Sequence, residues 1–438
     1  PTLYDESNTT IRRGAFSMAP NRQRRERWDA SVNTDYKLND QIVLFLKTTY
    51  SDYLSTNRNH GFTLTPGSLA AGSTLESYTT TNGTAGQGVS VFDKLTKSWQ
   101  INPGAKFESG DWKAELVGGF SKSTNHYKND TNFGAIGTTL TGLGWSMTAP
   151  RDTDVPSSIT QISGADFYNL NNYAPSQGNL ASTAGQHRAN HNGFVSNNKR
   201  DSRNMKYSGR LDVQRSFQAR FPFYVKAGLA YNETIFDKQQ DQRRWYWMGQ
   251  DGIATADDLT AAGAQLGRFA EPVAVTQQIP GWTLREPTYL STHELWKYWQ
   301  ANPQVLQENT AYAAQQQFVG RQKVNEKIRA AYVMGSMTVN KLNVLAGVRV
   351  EETDVTVHGY RVLPTSGATS VLPAGVDANS LQGILASYRR TVSRSDYRSD
   401  PFKYLHLRYE WRPGLLTRAS YTAAIGRPNL SDLITGGQ

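Results

Sequence analysis

Apolar and polar residues alternate with period two in short segments along the chain, the pattern of a strand with one apolar face. Trp28, Ala30, Val32, Thr34 and Tyr36 share one face; Asp29, Ser31, Asn33, Asp35 and Lys37 share the other. Ile42, Leu44, Leu46, Thr48 and Tyr50 repeat the pattern, then Trp99, Ile101, Ala105 and Phe107, then Trp112, Ala114, Leu116 and Phe120. Met205, Tyr207, Leu211 and Val213 follow, then Phe223, Val225, Ala227, Leu229 and Tyr231. The next segments set Ile328, Ala330, Tyr332 and Met334 against Lys327 and Arg329, then Leu342, Val344, Ala346, Val348 and Val350 against Arg349 and Glu351. Leu405, Leu407, Tyr409 and Trp411, then Thr417, Ala419 and Tyr421, make the last two.

These segments predict about ten strands, each long enough for a tilted membrane crossing of about 9–11 residues. A soluble antiparallel sheet with one wet face alternates in the same way. Two features favour the membrane. Aromatics recur near strand ends, at Trp28, Tyr36, Tyr50, Trp99, Phe107, Trp112, Phe120, Tyr207, Phe217, Phe223, Tyr231, Tyr409 and Trp411, where interfacial girdles sit. Connections also alternate in length. Short ones fall at Leu38–Gln41, Glu108–Asp111, Ser216–Pro222, Asn340–Lys341 and Arg412–Gly414, and long ones over about 54–96, 126–203, 235–322 and 354–402. Outer-membrane barrels pair short periplasmic turns with long extracellular loops, and soluble domains seldom hold several structureless loops longer than about 12–15 residues. Pro103 stands within a strand and predicts a bulge or a strand start there.

Composition adjusts this picture in few places. No stretch is apolar enough for a membrane helix, and mean hydropathy is −0.58, which a barrel tolerates because only alternate strand residues face lipid. The net charge is +10. The basic residues are spread out, without the dense tail expected of a nucleic-acid binder. The one dense run is Arg22, Arg24, Arg25 and Arg27. The first strand leads into a short turn, so it descends from outside, and this run lies at the outer rim, where it could pair with lipopolysaccharide phosphates. Cysteine is absent, which removes thiolate chemistry.

No catalytic constellation emerges, and neither a metal nor a cofactor is expected. His187 and His191 stand at i, i+4 without the glutamate of a zinc motif. Gln250-Asp251-Gly252 fails the calcium-loop pattern because Trp247 occupies the first ligand position. Glu351, Glu352 and Asp354 read as a solvated or interior strand end. The third long loop is richer: Trp245, Tyr246 and Trp247 are consecutive, Trp282 follows, and Trp296 and Trp299 lie in a helical stretch from His293 to Trp299. Such aromatics either pack the loop on itself or offer flat platforms to a sugar, an aromatic chelator or a flat cofactor.

Two stretches go further. Glu326-Lys-Ile-Arg-Ala-Ala-Tyr-Val-Met-Gly335, with Leu345-Ala-Gly-Val-Arg-Val-Glu351, resembles a strand–turn–strand signature of TonB-dependent outer-membrane receptors. So does Pro401-Phe-Lys-Tyr-Leu-His-Leu-Arg-Tyr409, leading to Arg418-Ala-Ser-Tyr421 and Ile425-Gly-Arg-Pro-Asn-Leu-Ser-Asp432. The resemblance implies a barrel of 22 strands plugged by an N-terminal domain. It implies uptake of a scarce ligand (a ferric siderophore, cobalamin or an oligosaccharide) driven by the TonB complex. On that basis residues 1–438 are expected to form a partial barrel domain, all-β and antiparallel, lacking the plug and the C-terminal strands. The chain starts at Pro1 without a signal peptide and stops at Gln438 just after a strand, which reads as a fragment. A passive porin-like channel and a surface glycan-binding adhesin remain the alternatives.

Overall fold

A computed structural model describes residues 4–5, 12–150, 155–177, 188–271 and 285–427. Ten long strands form one antiparallel wall. In chain order they are β1 (Asn21–Lys37), β2 (Ile42–Thr65), β3 (Ser77–Ser109), β4 (Trp112–Lys128) and β5 (Arg200–Phe217). β6 (Phe223–Gln240), β7 (Gln322–Val339), β8 (Leu342–Val362), β9 (Phe402–Arg412) and β10 (Leu415–Thr422) complete it. Each pairs with the next in sequence. Among the described residues no ladder joins the outer edge of β1 to that of β10, so the wall is an open portion of a barrel.

The expected short turns all join adjacent strands. Gly110, Asn340 and Gly414 take positive φ there (+54°, +50° and +83°), the left-handed geometry that glycine and asparagine tolerate best.

Register converts the sequence alternation into a surface. One row runs without a break across Tyr36, Leu44, Ala105, Leu116, Leu211, Leu229, Ala331 and Val350. It starts beside a turn on β1 and ends high on β8, as strand tilt requires. A second row joins Phe107, Ala114, Val213, Ala227, Val333 and Val348. Aromatics bound this band. Below are Tyr36, Phe107, Trp112 and the stacked pair Phe217–Phe223, with ring centroids 4.6 Å apart. Above are Trp28, Tyr50 and Trp99 in contact at 5.5 and 4.3 Å, then Phe120 and Tyr207 at 5.2 Å. The eight residue steps from Trp28 to Tyr36 span about 27 Å along the strand, or about 20 Å after tilting, close to the height of a lipid-facing band of about 25 Å.

The opposite face is polar. Arg210 meets Glu115 at 2.8 Å and Asp212 at 3.2 Å, and Lys226 approaches Asp212 at 3.5 Å. The Tyr332 hydroxyl donates to Asp212 at 2.6 Å. That bond corrects the phase expected for β7. Tyr332 stands opposite Gly228 and Arg349, so Ile328, Ala330, Tyr332 and Met334 lie on the polar face, and Ala331, Val333 and Met337 join the band. Arg329 and Lys327 share the band's face, but they sit at its upper end, where Arg329 pairs with Asp354 at 2.7 Å outside the hydrocarbon.

Pro103 needs no bulge. The β3–β4 register is the same on both sides of it, and the ladder merely skips Asn102 and Pro103. Gly118 lies opposite, and a Cβ there would come within 3.3 Å of the proline ring.

The strands outrun the membrane. β2 and β3 pair up to Thr65–Thr84, so most of 54–96, expected as a loop, is hairpin. In the last long connection β8 continues to Val362, and Tyr388–Arg398 descends beside it before β9. The Thr, Asn and Gly content of these stretches reads as turn from sequence, yet their backbone groups are paired in ladders.

Candidate functional site

The two central loops fold over the upper wall into a cap with its own core. Short strands Ala135–Thr148, Val195–Ser196, Arg244–Trp247 and Leu306–Glu308 pair with one another, and Ala135–Thr148 also pairs with the top of β3. They carry Ile136, Leu143, Trp145, Val195 and Trp247 into one apolar cluster with Phe62, Leu64, Ala85 and Val89 from the wall.

The consecutive aromatics form the middle of this core. Trp245 contacts Phe133 at 5.6 Å and Trp299 at 5.9 Å; Trp247 contacts Phe194 and Phe269, each at 6.1 Å. Tyr246 and Trp247 have no exposed surface, because this segment is a central strand of the cap with neighbours on both edges. Gln177 brackets Trp247, accepting its backbone N–H at 2.7 Å and donating to its carbonyl at 3.1 Å. Asn309 donates to the Tyr246 hydroxyl at 2.6 Å and caps α2 (Thr310–Val319) by accepting from the Tyr312 N–H. Burial pushes the Tyr246 phenol up to about 12. The Arg244 guanidinium lies 3.9 Å from the Tyr312 ring centroid.

The remaining expected platforms sit differently. Trp296 and Trp299 project from α1 (Thr292–Ala301) and are half-buried, with Trp296 stacked 6.3 Å from His293. Each keeps part of its surface exposed. Trp282 and His187 lie outside the described residues, as does the end of the Gly426–Asp432 motif. Among the described residues no cluster of metal-ligating side chains occurs.

The arginine run divides between two faces. Arg22 and Arg24 share the face of Trp28, the face of the membrane band. Arg25 and Arg27 point to the other, where Arg25 donates to Gln23 at 2.8 Å and Arg27 to Asp29 at 3.0 Å. Period two in a strand makes this split unavoidable. Arg24 is paired with Glu26.

The structure also assembles a group that sequence reading missed. Arg22, Arg58, His60, Glu271 and the start of α1 surround a polar cavity of about 280 Å³. These positions are far apart in the chain. The local signal was Ser291-Thr-His-Glu294, the capping-box pattern, whose Ser291 hydroxyl accepts from the Glu294 N–H at 3.3 Å.

The family model described as TonB dependent receptor-like, beta-barrel matches residues 152–438. No curated protein matches the chain. Among solved structures, the alcaligin outer membrane receptor FauA from Bordetella pertussis is 11% identical, covering 95% of this chain and 44% of its own, with a TM-score of 0.37. The ferric-catecholate import receptor Fiu from Escherichia coli K12 is 9% identical, covering 96% and 52%, also with a TM-score of 0.37. The siderophore receptor PiuA from Acinetobacter baumannii is 8% identical over 91% and 48%, with a TM-score of 0.26. The chain thus spans about half the length of these receptors. The family match begins within the cap and runs through the last six wall strands, and with it the chain belongs to the TonB-dependent receptor β-barrel family of the bacterial outer membrane.

Proposed function

We propose that this chain forms part of the wall and the extracellular cap of a receptor that imports a scarce ligand. A ferric siderophore, cobalamin and an oligosaccharide are the candidate ligands, and the TonB complex supplies the energy through a plug domain. The family match carries this reading. The outer edges of β1 and β10, which have no ladder partner among the described residues, support further strands in the whole receptor, with residues 1–438 as one partial barrel domain. Loops on a rigid scaffold set specificity, and the packed cap is such a scaffold. In this reading Trp296 and Trp299 meet the ligand, and Trp282 of the same loop is a further candidate contact. Trp245, Tyr246 and Trp247 hold that surface in place from behind. Arg22 and Arg24 contact lipopolysaccharide above the upper aromatic girdle.

Uptake by a deletion strain complemented with the full receptor tests the proposal. Accumulation of one labelled ligand class should depend on the receptor and vanish in a TonB-deficient strain. Uptake that persists without TonB would instead indicate a passive channel. Surface binding of a glycan without accumulation would indicate an adhesin.

A further inference from the structure

The polar cavity combines features that together specify a ligand. The first is cationic. Arg22 and Arg58 are directly opposed across β1 and β2, which puts two guanidinium groups side by side in the cavity wall. Arg58 uses one terminal nitrogen for both Asp93 and the Asn57 carbonyl, each at 3.0 Å, and the rest of its donor fork is left for another acceptor.

The second is a helix start. Ser291, Thr292 and His293 line the cavity at the N-terminus of the ten-residue α1. The first N–H groups of a helix have no intrahelical acceptor and carry partial positive charge. Ser291 satisfies only that of Glu294.

The third is independent of both. His60 lines the cavity with 6% of its side chain exposed, and its buried Nδ1 has no partner. Its Nε2 lies 3.8 Å from Glu271 and its ring 5.3 Å from Tyr289. A buried polar atom without a partner is costly, and a bound ligand that reaches it removes the cost.

Glu271 restricts the choice. Its carboxyl is held below the usual range, first by the His60 imidazole 3.8 Å away and also by Arg22, so it stays an acceptor. A fully deprotonated oxyanion such as sulfate would repel it. A singly protonated phosphate offers oxygens to the guanidinium groups and the helix start, and a P–O–H donor to Glu271 or to His60 Nδ1.

We propose that the cavity formed by Arg22, Arg58, His60, Glu271 and the start of α1 is a phosphate site. It lies on the face of the membrane band, six residues above Trp28 on β1. The phosphate is either free or borne by a phosphorylated sugar of neighbouring lipopolysaccharide; the second source rests on the lipopolysaccharide contact proposed above.

The test uses the full receptor carrying this chain, purified in detergent and stripped of lipopolysaccharide. Inorganic phosphate should raise its melting temperature and bind saturably by calorimetry, with sulfate at least tenfold weaker. R22Q, and separately R22Q with R58Q, should weaken phosphate binding tenfold or more, while R203Q, at an arginine paired with Asp237 and outside the cavity, leaves it intact. Equal binding of sulfate and phosphate, or unchanged binding in both cavity variants, would overturn the site. Lipopolysaccharide retained on native purification decides the source. Retention that drops in R22Q marks the phosphorylated sugar; unchanged retention, with phosphate binding lost, assigns the site to free phosphate and removes the lipopolysaccharide reading alone.

Discussion

At the scale of single residues, the cap depends on side chains whose role is packing. Trp247 is fully buried against Phe194 and Phe269, and deleting such a ring costs about 3–5 kcal/mol. Trp247→Ala should therefore loosen the cap, read as faster amide exchange over 244–247 and 306–308, while the wall keeps its protection. Loss of wall protection as well would mean that cap and wall do not unfold separately. Glu271 gives the cap a pH dependence. Its folded-state carboxyl lies below its ordinary value near 4.5, chiefly through the His60 imidazole 3.8 Å away. Its contribution is thus complete above that ordinary value and is lost as pH falls through the lower, folded one. Acid titration of cap exchange should show this loss in the native receptor and not in Glu271→Gln. Equal acid sensitivity in both would refute the assignment.

At the scale of elements, each strand carries two different faces, and a charge has opposite consequences on them. Leu229 lies in the continuous lipid-facing row, whereas Asn232 on the same strand pairs with Ser208 and Ile328 on the other face. An arginine near the bilayer midplane costs about 2–4 kcal/mol. Leu229→Arg should lower the unfolding free energy of the bilayer-inserted receptor by that amount, read from its denaturant curve, and Asn232→Arg should change it little. Equal effects would invert the assignment of faces. Strand phase was legible wherever the mid-strand residues were unambiguous, as on β2 and β8. It misled on β7 because Tyr332 counted as apolar, although its hydroxyl reaches Asp212 at 2.6 Å from the polar face. The charged Arg329 and Lys327, at the rim, reinforced the wrong phase. The cap was not legible as a fold. Gln177 and Trp247, or Gln87 and Thr288, meet across wide chain separations, and local periodicity holds no trace of such contacts. The phosphate cavity was hidden for the same reason, apart from the capping box at Ser291.

At the scale of the whole molecule, the decisive quantity is the number of unpaired backbone groups in lipid. Every neighbour pair from β1 to β10 is laddered, but the outer edges of these two strands lack partners among the described residues. In water an open edge is tolerated; in hydrocarbon each unsatisfied N–H or C=O costs several kcal/mol. Val32 on β1 and Tyr421 on β10 are more than 60% exposed at these edges, so the apolar band continues to both ends of the wall without a natural border. A membrane-inserted wall of this kind must be closed by further strands. Residues 21–427 expressed alone should therefore fail to form a heat-modifiable, protease-resistant species in liposomes. The same residues within the full receptor should form one, as should the segment co-expressed with the rest of the barrel. A ten-stranded segment that alone became heat-modifiable and protease-resistant would show that β1 and β10 pair with each other. The wall would then be a complete small barrel, too narrow to hold a plug.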